Sequence, residues 1–221
     1  MTTRPVAFFD VDETLISGKS MLLFRDWWDA LHPRGERPCA LEGKDRSELN
    51  RAYYRRFAGV PAAELQSAGR EWYGAYRSDP QAFVLPAVTA LRRHRALGHL
   101  TVLVSGSLWA VLAPLAADLG ADRILCASQR VGDDGRLTGE IVRPVIGPVK
   151  AEAAAVLMAS AGASPEDCFA YGDHESDLPL LRSVGTPAVV GDDPVLTQHA
   201  LREGWLRLPT ETGALPLAAV G

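Results

Sequence analysis

Two aspartates stand one residue apart in Asp10-Val11-Asp12, directly after the apolar run Val6-Ala7-Phe8-Phe9. Carboxylates at that spacing on a bend can turn toward one substrate, one as nucleophile or metal ligand, the other as acid and base. A second acidic stretch, Gly172-Asp173-His174-Glu175-Ser176-Asp177, follows the apolar run Cys168-Phe169-Ala170-Tyr171. Between the two lie Ser105-Gly106-Ser107, after Leu100-Thr101-Val102-Leu103-Val104, and Lys150, just behind Gly147-Pro148-Val149. Such a set of carboxylates, with a lysine, a hydroxyl and a glycine-exposed amide, is what phosphoryl transfer through an aspartyl-phosphate requires. Carboxylate oxygens hold Mg²⁺, which neutralises a phosphate the nucleophile would otherwise repel. Lys150, the Ser105 hydroxyl and the Gly106 amide can cradle the phosphate oxygens. Taken singly, each feature has a plainer use: paired aspartates suit a turn, Ser105 a helix cap, Asp177 the N-cap of the next helix, Lys150 an exposed face. Their order along the chain favours the chemistry.

Gathering these groups requires a frame. The apolar runs 6–9, 100–104, 124–127, 168–171 and 187–190 read as buried strands, and helical stretches follow them, so the pattern is that of βαβ units and a parallel sheet. In such a sheet the strands' carboxyl ends share the edge where ligands bind. Residues 129–142 read as a hairpin around Asp133-Asp134-Gly135, and Pro114 is expected to kink or break the helix that contains it. Between the first two strands the period becomes helical, with Met21, Leu22, Phe24, Trp28 and Leu31 near one face and further helices over 47–58 and 61–76. His32-Pro33-Arg34-Gly35 and Pro38 are expected to end the first of these helices. This predicts a small all-helical insert over 17–85 in a core formed by 1–16 and 86–221. The tail from Pro209 to Gly221 reads as partly loose.

Composition narrows the class. A chain of 221 residues, 47% hydrophobic and 23% charged, suits one large domain with an insertion. A net charge of −4 argues against a nucleic-acid partner, and no apolar stretch or leader pattern suggests a membrane. Cys39, Cys126 and Cys168 form neither a disulfide framework nor a CxxC clip, which points to a reducing cytoplasm, with Cys126 and Cys168 as core residues.

The motifs Asp10-Val11-Asp12-Glu13-Thr14, Ser105, Lys150 and Gly172-Asp173 with Asp177 resemble, in that order, those of the haloacid dehalogenase superfamily of phosphatases. The resemblance covers nearly the whole chain, and the helical insert is similar to the C1 cap of the phosphoserine-phosphatase-like branch, subfamily IB. It implies an α/β fold: a Rossmannoid parallel sheet with helices on both faces and the cap after the first strand. It further implies a Mg²⁺-dependent phosphatase acting on a small-molecule phosphate ester. In it Asp10 is nucleophile and metal ligand, Asp12 is acid and base and lends Mg²⁺ its backbone carbonyl, and Asp173 is a direct ligand. Asp177 stands in the metal's outer shell or holds Lys150; Ser105, Gly106 and Lys150 bind phosphate. Asp12 separates such phosphatases from the dehalogenases. Two residues depart from the pattern. Lys19 stands where phosphoserine phosphatases carry a glutamate for the substrate's ammonium, so the expected substrate is not phosphoserine but an ester neutral or more anionic at that point. Glu13 replaces a small residue. Specificity is expected from the cap through Lys19, Arg25, Trp28, Arg55 and Arg56, while His174 is expected at the entrance or in solvent. The rival classes are a phosphotransferase or mutase with the same intermediate and a catalytically silent phosphate-binding protein.

Overall fold

The computed structural model describes residues 4–33 and 46–216. Its centre is strand β1 (Val6–Phe9), every residue of which is buried. The remaining sheet strands are β3 (Leu100–Val104), β4 (Arg123–Leu125), β7 (Phe169–Gly172), β8 (Thr186–Val190) and β9 (Leu206–Leu208). All six pair in parallel in the order β4-β3-β1-β7-β8-β9.

Side chains alternate across a strand, and here the alternation sorts the core into two layers. Ala7, Phe9, Leu103, Tyr171, Ala188 and Val190 join one cluster with residues of helices α4 (Leu85–Ala96) and α5 (Trp109–Leu119). Val6, Phe8, Val102, Val104, Ala170 and Val189 join the other with residues of α6 (Pro148–Ala161), α7 (Leu178–Leu181) and α8 (Pro194–Glu203). Both faces are therefore covered, which is why these strands read as continuous apolar runs rather than alternating ones. After β1 the chain passes to β3 on one side and later to β7 on the other. The carboxyl end of β1 is thus the switch point of the sheet, where a crevice opens.

The inserted cap comprises α1 (Ser20–Leu31), α2 (Arg46–Arg55) and α3 (Ala62–Tyr76). Its aromatic core joins Phe24, Trp28, Phe57 and Trp72, with ring centroids 5.6–6.0 Å apart. Part of the expected end of α1, Arg34-Gly35 and Pro38, lies outside the described residues, as does Cys39. The hairpin formed by β5 (Gln129–Val131) and β6 (Leu137–Ile141) reaches from the core to the cap. The Gly59 and Ala62 amides donate to the Leu137 and Gly135 carbonyls, at 2.7 and 3.0 Å, and the Leu137 amide donates to Val60 O at 2.8 Å.

Three features refine the sequence expectations. Pro114 does not interrupt α5, which runs unbroken from Trp109 to Leu119. Proline cannot donate to the carbonyl four residues back, that of Ala110, and against that carbonyl packs Gly69 of α3, where any Cβ would come within 2.0 Å of the oxygen. The tail is ordered as far as described: β10 (Thr212–Gly213) pairs with β2 (Phe83–Val84), Leu215 is buried, and Pro216 O accepts from Arg77 at 2.8 Å. The pairs β2/β10 and β9 escaped the sequence reading because two or three residues carry no periodicity.

Candidate active site

Asp10 extends the sheet by one residue, its amide donating to Tyr171 O at 2.9 Å, so its carboxylate stands at the switch point. The chain then turns tightly, with the Leu15 and Ile16 amides on Val11 O and Glu13 at φ 61°. A left-handed backbone costs a non-glycine residue about 1–2 kcal/mol. Glu13 lies at the rim and pairs with Lys19 at 3.6 Å. The turn carries Thr14 inward, where its hydroxyl donates to Asp173 Oδ1 at 2.8 Å.

Lys150 sits in the first turn of α6, and helical side chains lean toward their helix N-terminus, here toward the sheet's carboxyl edge. Its buried ammonium donates to Asp10 Oδ1 at 2.6 Å and to Asp177 Oδ1 at 2.7 Å. Burial works against that charge, but Asp10 and Asp177 more than offset it and raise the lysine above its ordinary pKa. Asp177 makes no side-chain cap to α7 and spends its carboxylate on Lys150 instead. Gly172 permits this approach, since a Cβ there would lie 2.7 Å from Asp177 Cβ.

One oxygen from each of Asp10, Asp173 and Asp177 lies within 4.8 Å of the others. Burial first, then the charges of Asp10 and Asp177, raises Asp173; burial also raises Asp177, with Lys150 opposing. Negative charge so concentrated, offered wholly by oxygen donors, suits a hard divalent cation. Asp12 is not part of this cluster. Its carboxylate accepts from the Ser20 amide at 3.0 Å, at the N-terminus of α1, and desolvation followed by the Asp10 charge pushes it up to about 6.

The Ser105 hydroxyl oxygen accepts from the Ser107 amide at 3.0 Å, which leaves its proton to donate elsewhere. Ser107 in turn accepts from the Ser20 hydroxyl at 2.8 Å. Gly106 has no room for a side chain, since a Cβ would stand 2.6 Å from Ile146 Cγ2. Its carbonyl accepts from Asn50 Nδ2 at 2.9 Å and from Tyr54 Oη at 3.1 Å.

These groups form the floor of a cavity of about 520 Å³, whose wall includes Lys19, Arg25, Asn50, Tyr53 and Arg56 from the cap, with His174 at its side. Of the cap residues expected from sequence, Lys19, Arg25 and Arg56 line this cavity. Trp28 and Arg55 do not: Trp28 is inside the cap core against His32, and the Arg55 backbone backs onto Gly139 of the hairpin. His174 Nδ1 accepts from the Ser176 amide at 3.1 Å. Sequence reasoning missed Thr14 as a partner of Asp173, missed Asn50 altogether, and counted Tyr53 and Tyr54 among the cap aromatics without singling them out. Their i, i+3 and i, i+4 spacing on α2 was the available signal.

A family model described as haloacid dehalogenase-like hydrolase matches residues 7–182. A Streptomyces azureus protein named for inhibition of morphological differentiation is 32% identical over 222 residues, 91% of this chain and 77% of that one. A phosphoserine phosphatase of Mycobacterium tuberculosis is 30% identical over 218 residues, 90% of this chain and 68% of its own. Among solved structures, a Bordetella pertussis protein of unknown function superposes with a TM-score of 0.82 at 24% identity, covering 94% of this chain and 99% of the other.

Proposed function

The chain belongs to the haloacid dehalogenase-like hydrolases, and from that premise we propose that it is a Mg²⁺-dependent phosphatase of small-molecule phosphomonoesters working through an aspartyl-phosphate on Asp10. In this reading residues 1–16 and 86–221 are the catalytic core and 17–85 the C1 cap of a subfamily IB enzyme. The observation that carries it is the floor of the cavity: Lys150 between Asp10 and Asp177, Asp173 beside them, and Ser105 and Gly106 in the same lining.

Asp10 attacks phosphorus while Lys150 holds its Oδ1 and fixes the direction of the other oxygen. The Lys150 ammonium, Ser105 hydroxyl and Gly106 amide bind the phosphate oxygens. Asp12, pushed up to about 6, is partly protonated near neutral pH. It gives that proton to the leaving alcohol and then takes one from the water that hydrolyses the aspartyl-phosphate. Asp10 and Asp173, with the Asp12 backbone carbonyl, would hold Mg²⁺, and Asp177 would act from behind through Lys150. When bound, the ion supplies charge neutralisation at the phosphate. The free thiols Cys126 and Cys168 suit a reducing cytoplasm.

Phosphoserine is disfavoured by Lys19 at the cavity rim. With Mg²⁺ and an aryl phosphate the protein should release inorganic phosphate, and Asp10→Asn should lose about 10⁴-fold or more of that rate. Turnover persisting in Asp10→Asn would refute the reading, as would phosphoserine giving the highest specificity constant in a panel of esters.

A further inference from the structure

Two buried polar atoms on the cap side of the cavity have no partner among the described residues: Asn50 Oδ1 and Tyr53 Oη. Both residues line the cavity, and they are only 5% and 8% exposed. The orientation of Asn50 is fixed by its neighbours. Nδ2 must face Gly106 O, because two carbonyl oxygens would repel, so Oδ1 faces away from that loop and can only accept. The Tyr53 hydroxyl lies within the fields of Asp12, Arg56 and Arg25, all cavity residues. Three residues apart on α2, the two side chains share one face of the helix. A buried polar group without a hydrogen bond is costly, and two of them on one face of a helix that lines the cavity define what a partner must offer.

The cations of the same wall are already satisfied. Lys19 pairs with Glu13 at 3.6 Å, Arg25 with Asp26 at 2.7 Å, and Arg56 with Asp29. A carboxylate on the leaving group would compete with these acids for their cations, and an ammonium would compete with the cations for Glu13 and Asp29, so neither charge meets an unpaired counter-ion among these groups. Met21, Leu22 and Ile146 add apolar surface between the polar points.

We infer that Asn50 and Tyr53 select a leaving group that is uncharged and carries at least two hydroxyls, so that the substrate class is polyol or sugar monophosphates. Each side chain turns from its buried position to meet the ligand, so that one hydroxyl donates to Asn50 Oδ1 and a second exchanges a hydrogen bond with Tyr53 Oη. Asn50 also grips Gly106, and the neighbouring Tyr54 grips Gly106 and Ser107 at 3.1 and 2.9 Å, so the wall that reads the hydroxyls is fastened to the loop that reads the phosphate. This inference rests on the phosphatase reading above.

The test is steady-state hydrolysis, with Mg²⁺, of glycerol phosphate and a pentitol phosphate against phosphoserine and an aryl phosphate, by the full chain and by Asn50→Leu and Tyr53→Phe. The parent should prefer the polyol esters to phosphoserine by tenfold or more in kcat/KM. In each variant the ratio of polyol to aryl kcat/KM should fall at least tenfold, chiefly through KM. Tyr53→Phe removes only a hydroxyl that has no partner among the described residues, so it should melt no lower than the parent and keeps the test independent of folding. Aryl turnover with an unchanged ratio in both variants, or a preference for phosphoserine, overturns the inference alone. No Mg²⁺-dependent hydrolysis of any ester overturns the phosphatase reading and the inference with it.

Discussion

On the floor of the cavity Lys150 reaches Asp10 and Asp177 at 2.6 and 2.7 Å and Thr14 reaches Asp173 at 2.8 Å, whereas on the helical wall Asn50 Oδ1 and Tyr53 Oη meet neither donor nor acceptor among the described residues. The floor groups are held by one another before any ligand arrives; the wall groups wait for one. Fixed charges aimed at a reacting centre need no reorganisation during the reaction, and every phosphate ester presents the same phosphate to them. In the proposed reading the wall meets the part of the ester that differs, and there an unsatisfied group discriminates because only the right ligand relieves it.

That contrast predicts opposite signs for removing one side chain from each region. Lys150→Met leaves Asp10 and Asp177 buried and unpaired, and breaking a buried ion pair costs about 3–5 kcal/mol. Urea unfolding in chelator should show a loss of that size, and Mg²⁺ should restore part of it; an unchanged midpoint would mean the floor is not held as described.

The back of the wall gives the next effect. There α3 is docked on α5 through Gly69 against Ala110 O, and through Tyr73 and Arg77, each 2.7 Å from Asp118. Gly69→Val must push the helices apart and should cost about 2–3 kcal/mol. If thermal melts show no loss, the cap is not anchored along this seam.

Behind the floor, on the α4 side of the sheet, His94 joins Tyr171 and His99, each at 2.9 Å. Burial, then His99 and Arg93, lowers its pKa from 6.5 to about 4. Below pH 6.5 the unfolded chain binds a proton that the folded one refuses, so stability falls as pH drops from 6.5 toward 4. A shift of that size is worth about 1–3 kcal/mol. Denaturant midpoints measured across that range should slope accordingly, and His94→Gln should flatten them.

The smallest effect has the other sign. Tyr53→Phe should stabilise the ligand-free protein by up to about 1 kcal/mol, since it removes an unsatisfied hydroxyl. A loss of stability would place a partner on that hydroxyl and erase the contrast between floor and wall.

The same contrast governs what the sequence discloses. The floor is carried by side chains at strand ends and a helix start, each with a local signal, and parallel topology alone brings Asp10, Ser105, Lys150 and Asp173 to one edge. Asp177 reads ambiguously as cap or lysine partner, and only the packing of Gly172 against it shows that Lys150 takes it. The wall depends on which face of each helix turns inward. Trp28 and Arg55 have suitable chemistry but lie in the cap core and beside the hairpin, while Asn50, with no motif around it, holds the phosphate loop. Pro114 misleads for a related reason. The carbonyl four residues back, Ala110 O, to which proline cannot donate, packs against Gly69, 41 positions away in another element, and the helix runs on past Pro114.

The central claim is that the Asp10 carboxylate becomes covalently phosphorylated. Quenching the protein in acid during turnover of a radiolabelled phosphate ester, then mapping the label by peptide digestion, tests it directly. Label should appear on the peptide containing Asp10 and be lost in Asp10→Asn. Steady hydrolysis with no labelled peptide, or with label on a peptide lacking Asp10, would contradict it.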